Sequence, residues 1–221
     1  MLLRFPNNDV SWVSTRTFSL IELTQATYRE NVHAETYARF LLELVAEEGE
    51  LRRLFGAIHT IPTVKDKADW TLKWFSADKY SFATRVIAFA IVEGIFFSSS
   101  FAAIFWVRSR GLLPGLCHSN ELIMRDEGLH MDFACRLYGV LRERVPGDVV
   151  VTMISDAVHL EQRFFTGLSV ALSPITTLIY MVRSLTSWTS WPQRAAHESV
   201  RGVRSRFFAQ QTGLWSRIPQ Q

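Results

Sequence analysis

The most constraining feature of this 221-residue chain is an apolar run from Val86 to Val107 whose single charged residue is Glu93. A helix of about 22 residues is long enough to cross a bilayer, and it equally suits the middle of a helical bundle. A lone carboxylate in an apolar setting is costly unless it is paired or bound to a metal. The acid and the serines Ser98 to Ser100 make a poor lipid-facing span, so the run favours burial by protein. A membrane protein built on residues 86–107 stays open as an alternative.

Two Glu-x-x-His pairs lie on either side of this run, Glu30 with His33 and Glu127 with His130. Residues i and i+3 share one face of a helix, so each pair directs a carboxylate and an imidazole to the same place. Two such pairs, with separate carboxylates from other helices, are the ligand set of di-iron or di-manganese sites in helix bundles. The spacing alone is a weak signal, because a single Glu or His is more often a surface or internally paired residue.

The rest of the chain has a helical pattern with few breakers and no strand-like alternation, which predicts an all-α fold. The predicted helical stretches are Thr17–Ala46, Glu47–Pro62 (a shorter helix and a turn closed by Pro62), Asp66–Phe75, Ser81–Arg108, Asn120–Arg144 and Asp148–Phe165. We expect an irregular N-terminal segment over residues 1–16, one domain over residues 17–168, and a divergent, poorly ordered tail over residues 169–221.

Composition narrows the class of protein. The net charge of +3 is no evidence for a nucleic-acid partner. The two cysteines are too few for a disulfide framework, and the first residues lack an apolar leader. A cytoplasmic protein is therefore expected.

Several segments carry a specific family resemblance, in the family's order and at near-family spacing. They are Glu30–Tyr37 (ENVHAETY), Lys67–Trp70 (KADW), Val92–Ser98 (VEGIFFS), Arg110–Gly115 (RGLLPG) and Ser119–Ala134 (SNELIMRDEGLHMDFA). These segments resemble the small subunit of class I ribonucleotide reductase, closest to the eukaryotic and viral type. The resemblance runs from about residue 29 to about residue 166 and fails on both sides of that stretch.

The resemblance implies a ferritin-like helical bundle, here incomplete at its N- and C-terminal ends. It implies a cofactor of two iron ions, with manganese as the alternative. The metal ligands that it indicates are Glu30, His33, Glu93, Glu127 and His130.

The resemblance also implies roles around the metal. Tyr37 matches the tyrosine that becomes a stable radical, and Asp126 matches an aspartate that hydrogen-bonds a ligand histidine and joins the electron path. Phe97, Phe101 and Ile123 match the apolar pocket that shields the radical, and they suit ordinary core packing equally well.

Three departures from the family bear on activity. The family's remaining aspartate ligand would precede the first residue of this sequence, and no motif supports Asp9 or Glu22 as a replacement. Trp12 matches the family's upstream tryptophan in residue type only, and the docking tail is not recognisable. We therefore expect that this sequence supports little or no ribonucleotide reduction. An altered reading frame at both ends is a hypothesis that the transcript would test.

The implied function is the radical-generating small subunit of ribonucleoside-diphosphate reductase, an oxidoreductase that supports deoxyribonucleotide synthesis. The expected partners are the large subunit and a second copy of the chain, with no nucleic acid and no membrane. Two alternatives remain, an inactive truncated remnant that dimerises with or regulates an intact small subunit, and the membrane protein above.

Overall fold

The structure, a computed structural model, describes the backbone of residues 16–172 and the side chains of residues 28–167. Within these residues it contains helices and no strand, which confirms the all-α prediction. The expectations for the N-terminal segment before residue 16 and for the tail after residue 172 lie outside the described residues, whereas the backbone of residues 169–172 is helical. Asp9, Trp12 and the side chain of Glu22, the sequence candidates for the missing family residues, also lie outside the described residues.

The described residues form two compact units, one up to Gly56 and one from Ala57 onwards. The helices of the first unit are α1 (Arg16–Leu44) and α2 (Glu48–Phe55). Those of the second unit are α3 (Ala57–Thr60), α4 (Pro62–Trp74), α5 (Phe82–Ile95), α6 (Ser98–Ser109), α7 (Pro114–Val140) and α8 (Gly147–Leu172).

Two prolines that the sequence pattern treats as stops are instead helix starts. Pro62 is the first residue of α4, and Pro114 is the first residue of α7, preceded by Leu113 in the left-handed conformation with φ 48°. The first helical position needs no backbone N–H, and its φ matches the one that the proline ring imposes. Both helices therefore begin earlier in the chain than predicted.

The predicted single helix over Ser81–Arg108 was wrong, because the structure divides it into α5 and α6 at Phe96 and Phe97. The Phe96 carbonyl accepts a hydrogen bond from Lys67 Nζ, and the Ser99 N–H donates to Glu161 Oε1 at 2.8 Å. Side chains distant in sequence thus bond backbone groups at the junction, and periodicity carries no signal of this kind.

Helix α5 lies in the core of the second unit, in contact with α4, α7 and α8. The core combines aromatic residues of α4, Phe96 just after α5, and other apolar residues of α5 and α8: Trp70, Trp74, Ile87, Ala88, Ile91, Ile95, Phe96, Met153, Ile154, Ala157 and Val158. By length and composition the stretch Phe82–Ser109 could cross a membrane, but more than half of its most apolar part is buried inside the protein. Core helices of water-soluble bundles have this same character.

Candidate metal centre

Helices α5 and α7 bring three ligand-type side chains together in the second unit. Glu93 of α5 and Glu127 and His130 of α7 each offer a ligand atom, and these atoms lie within 4.8 Å of one another. His130 Nδ1 is 3.1 Å from Glu127 Oε2 and 3.7 Å from Glu93 Oε2. All three side chains are buried.

The face of α7 that meets α5 explains this arrangement. Glu127 and His130 are three positions apart, so both point to the buried face, whereas Leu129 between them is 60% exposed. Glu93 lies in the last turn of α5, close to the junction with α6. The i, i+3 pair and the lone acid of the apolar run therefore converge, as the sequence predicts.

The electrostatics of the cluster reflect its burial. Burial raises the pKa of Glu93 well above its usual range; the nearby His130 offsets part of this effect and Glu127 adds to it. Burial by itself would lower the pKa of His130, but the carboxylates of Glu127 and Glu93 outweigh it and raise that pKa to about 10. Two buried acids this close repel each other unless a proton or a cation lies between them.

The donor set fits a divalent metal ion. Glu93 Oε2 is buried and makes no hydrogen bond, which is costly for a carboxylate oxygen. Carboxylate oxygens with an imidazole nitrogen are the ligands that iron and manganese accept, and a cation would offset the repulsion between the acids. The cluster is thus a candidate metal centre.

A small cavity adjoins the cluster. It is lined by Glu93, Gly94, Ser98, Phe101, Met124, Glu127 and Gly128. Of the three residues assigned to the apolar pocket, Phe101 lines this cavity and is buried, and Ile123 is buried elsewhere on α7. Phe97 is partly buried, with its ring centroid 6.1 Å from that of Phe101.

The other Glu-x-x-His pair lies on α1 of the first unit. Glu30 Oε1 is 3.4 Å from His33 Nδ1, and the His33 side chain is buried. Tyr37, one turn after His33, is partly buried, whereas Tyr28 is 69% exposed. The local geometry is therefore that of an i, i+3 Glu–His pair followed by a partly buried tyrosine on the same helix.

Asp126, which directly precedes Glu127 on α7, is partly buried.

A third acid–histidine pair shows that the i, i+3 spacing is not specific by itself. On α8, Asp156 and His159 repeat the i, i+3 spacing, yet both are exposed. Burial on a shared face, which spacing alone does not guarantee, separates Glu127 and His130 from this pair.

Sequence reasoning missed Glu161 of α8, which is fully buried and forms an ion pair with Lys67 at 2.8 Å. The sequence did contain a signal for this burial. Glu161 has helical spacing to the apolar residues Ala157, Val158 and Phe165, and all four are buried on α8. An acid in an apolar stripe of a helix is expected to have a buried partner.

An all-α unit with buried carboxylates and an imidazole between its helices defines the class of helical-bundle proteins with a candidate metal site. Residues 20–181 match the family model described as "Ribonucleotide reductase, small chain". The protein belongs to the ribonucleotide reductase small chain family.

Individual relatives agree with this assignment. The ribonucleoside-diphosphate reductase small chain of Neurospora crassa is 51% identical over 137 residues, which cover 62% of the present sequence and 33% of the relative. A ribonucleoside-diphosphate reductase small chain of Arabidopsis thaliana is 48% identical over 157 residues, which cover 71% of the present sequence and 45% of the relative. The protein thus spans less than half the length of these curated relatives.

A solved structure supports the fold. The Rnr4 homodimer of Saccharomyces cerevisiae matches with a TM-score of 0.63 and 27% identity, covering 84% of the present sequence and 55% of the Rnr4 polypeptide. This similarity confirms the ferritin-like helical fold.

Proposed function

We propose that this chain is the radical-generating small subunit of a ribonucleoside-diphosphate reductase. The observation that carries the proposal is the buried group of Glu93, Glu127 and His130, inside the stretch that matches the small-chain family. Such a subunit makes no product alone. It stores an oxidising equivalent for a large subunit, which binds the ribonucleotide and reduces its ribose.

The proposed cofactor is a pair of iron ions, with manganese as the alternative. When bound, the metal pair supplies the oxidising chemistry of the family. Glu93 would bind from α5, and Glu127 and His130 from α7, with carboxylates offsetting the metal charge. Glu30 and His33 are assigned as further ligands on their resemblance to the family motif and on their i, i+3 spacing.

Tyr37 is the proposed site of the stored oxidising equivalent. It would give up one electron and its phenolic proton, and the resulting radical would persist only where water and reductants are excluded. Phe97, Phe101 and Ile123 are proposed to form that water-excluding environment. Asp126 is proposed to hydrogen-bond a ligand histidine and to take part in electron transfer, a role common for groups next to metal ligands.

The proposed partners are a large subunit and a second copy of this chain, in the cytoplasm. The homodimeric state of the Saccharomyces cerevisiae protein supports the second partner, and the family supports the first.

The test begins with anaerobic ferrous loading of the purified protein, followed by oxygen and electron paramagnetic resonance. We expect a weak or short-lived tyrosyl signal in the wild type, in line with the low activity expected from the sequence, and none in Tyr37→Phe at equal metal content. Tyr28→Phe, at an exposed position of the same helix, is the matched control and should retain the signal. An unchanged signal in Tyr37→Phe would contradict the radical assignment. Formation of deoxyribonucleotide only after addition of a large subunit would support the proposed partnership.

A further inference from the structure

The junction between α5 and α6 lies three residues after the candidate ligand Glu93. The ends of helices leave carbonyl groups at the C-terminus and N–H groups at the N-terminus without helical partners. A continuous helix would instead pair the Ile95 carbonyl with the Ser99 N–H. In the structure the Ile95 carbonyl accepts from Ser98 Oγ at 2.7 Å, and the Ser99 N–H is bonded elsewhere.

Lys67 of α4 and Glu161 of α8 both reach this junction. Lys67 Nζ donates to the Phe96 carbonyl at the end of α5, and Glu161 Oε1 accepts from the Ser99 N–H at the start of α6 at 2.8 Å. The two side chains form an ion pair at 2.8 Å, with Lys67 14% exposed and Glu161 fully buried. A cation at a helix C-terminus and an anion at a helix N-terminus both complement the helix dipoles.

Ser98 connects the junction to the metal centre. Its Oγ lies 3.4 Å from Glu161 Oε1, and the residue lines the cavity that Glu93 and Glu127 also line. Displacement of the junction would therefore move a wall of that cavity and the last turn of α5, which carries Glu93.

We propose that Lys67 and Glu161 are positioning residues, which hold the α5–α6 junction so that Glu93 faces Glu127 and His130. The inference rests on the proposed metal centre. Burying an ion pair costs desolvation free energy. Here each charged side chain also hydrogen-bonds a backbone group that has no partner within its own helix. Groups that support metal ligands in this way typically change metal affinity by about 10- to 100-fold when they are removed.

The test compares two double variants that remove both charges. In Lys67→Met/Glu161→Gln, the amide oxygen of the glutamine can still accept a hydrogen bond from the Ser99 N–H. In Lys67→Met/Glu161→Met, the methionine at position 161 has a similar length but provides no such acceptor. We expect the Met/Met variant to bind Mn²⁺ at least about tenfold more weakly than the Met/Gln variant. We also expect faster amide hydrogen exchange over residues 95–100 in the metal-free Met/Met protein.

The control is the exposed ion pair between the same two helices, Asp66 with Arg163 at 2.6 Å. Asp66→Asn/Arg163→Met should leave both Mn²⁺ affinity and this exchange unchanged. If the Met/Met variant does not fold, Glu161→Asp replaces it, since the shorter carboxylate withdraws from Ser99 and should give the same two changes.

Equal Mn²⁺ affinity in the two folded double variants would overturn the inference, even if the Met/Met variant had a lower melting temperature. If the wild type itself binds no Mn²⁺ or Fe²⁺, the proposed metal centre fails. The exchange comparison still decides whether the hydrogen bond from the Ser99 N–H to the side chain at position 161 holds the junction, and equal exchange in both variants would overturn it.

Discussion

At the scale of single residues, Glu93 is the clearest case of a side chain whose burial lowers the stability of the fold. An apolar residue at its place would suit the core that Ile91 and Ile95 form on the same helix. The carboxylate instead remains buried beside Glu127 and His130, where its desolvation opposes folding. A site of this kind is understandable if a bound cation compensates for that cost.

The first residue-scale prediction concerns the α7 pair. Glu127→Ala/His130→Ala should lose most of the metal that the wild type takes up after anaerobic ferrous loading, because two of the three convergent groups disappear. Metal analysis after desalting measures the effect. Asp156→Ala/His159→Ala removes an exposed pair of the same spacing and should retain wild-type metal. Equal metal in the wild type and the α7 variant would refute the site.

A second residue-scale prediction concerns Cys135. Burial, reinforced by the negative charge of Asp132, raises the pKa of this thiol to about 11. The thiolate is the reactive form, so at pH 8 only about one thiol in a thousand is ionised. Since the pKa is raised, alkylation in a Cys117→Ser background should be slow at pH 8 and should increase about tenfold per pH unit towards pH 10.

Two comparisons check the cause of this slow alkylation. Asp132→Asn removes the neighbouring charge and should speed the reaction at pH 8, and the guanidinium-unfolded protein should react as an ordinary thiol. Rapid alkylation of the folded protein at pH 8 would contradict the prediction.

At the scale of elements, α5 is a core helix because α4, α7 and α8 all contact it. Ile91→Ala should therefore lower the free energy of unfolding by about 2–5 kcal/mol, from lost burial and from the cavity left behind. Leu72→Ala, at a position of α4 that is 68% exposed, should change it by less than about 0.5 kcal/mol. Denaturant unfolding of the metal-free variants measures both values. Similar small losses for the two would mean that α5 is not packed as described.

At the scale of the whole molecule, we predict a homodimer. The solved relative from Saccharomyces cerevisiae is a homodimer with the same fold. Sedimentation equilibrium of the purified protein should give twice the chain mass of 25.4 kDa at micromolar concentration. A mass of 25.4 kDa throughout a dilution series would show that the protein is a monomer under these conditions.

The fold class, the family and the convergence of Glu93 with the α7 pair can all be predicted from the amino-acid sequence. Helical periodicity is local, and a spacing of three residues places Glu127 and His130 on one face whatever surrounds them. Glu93, the lone acid of the apolar run, was expected to have a partner, because burying an unpaired carboxylate is costly.

The positions of the helix ends and the identity of the buried polar groups depend on how the helices pack, and they became clear only from the fold. Pro62 and Pro114 begin helices, although in sequence a proline equally marks a stop. At the junction the Phe96 carbonyl accepts a hydrogen bond from Lys67, 29 residues away, and the Ser99 N–H donates one to Glu161, 62 residues away. Contacts at such separations arise from the packing of α4 and α8 around α5 and α6, and no local pattern encodes them.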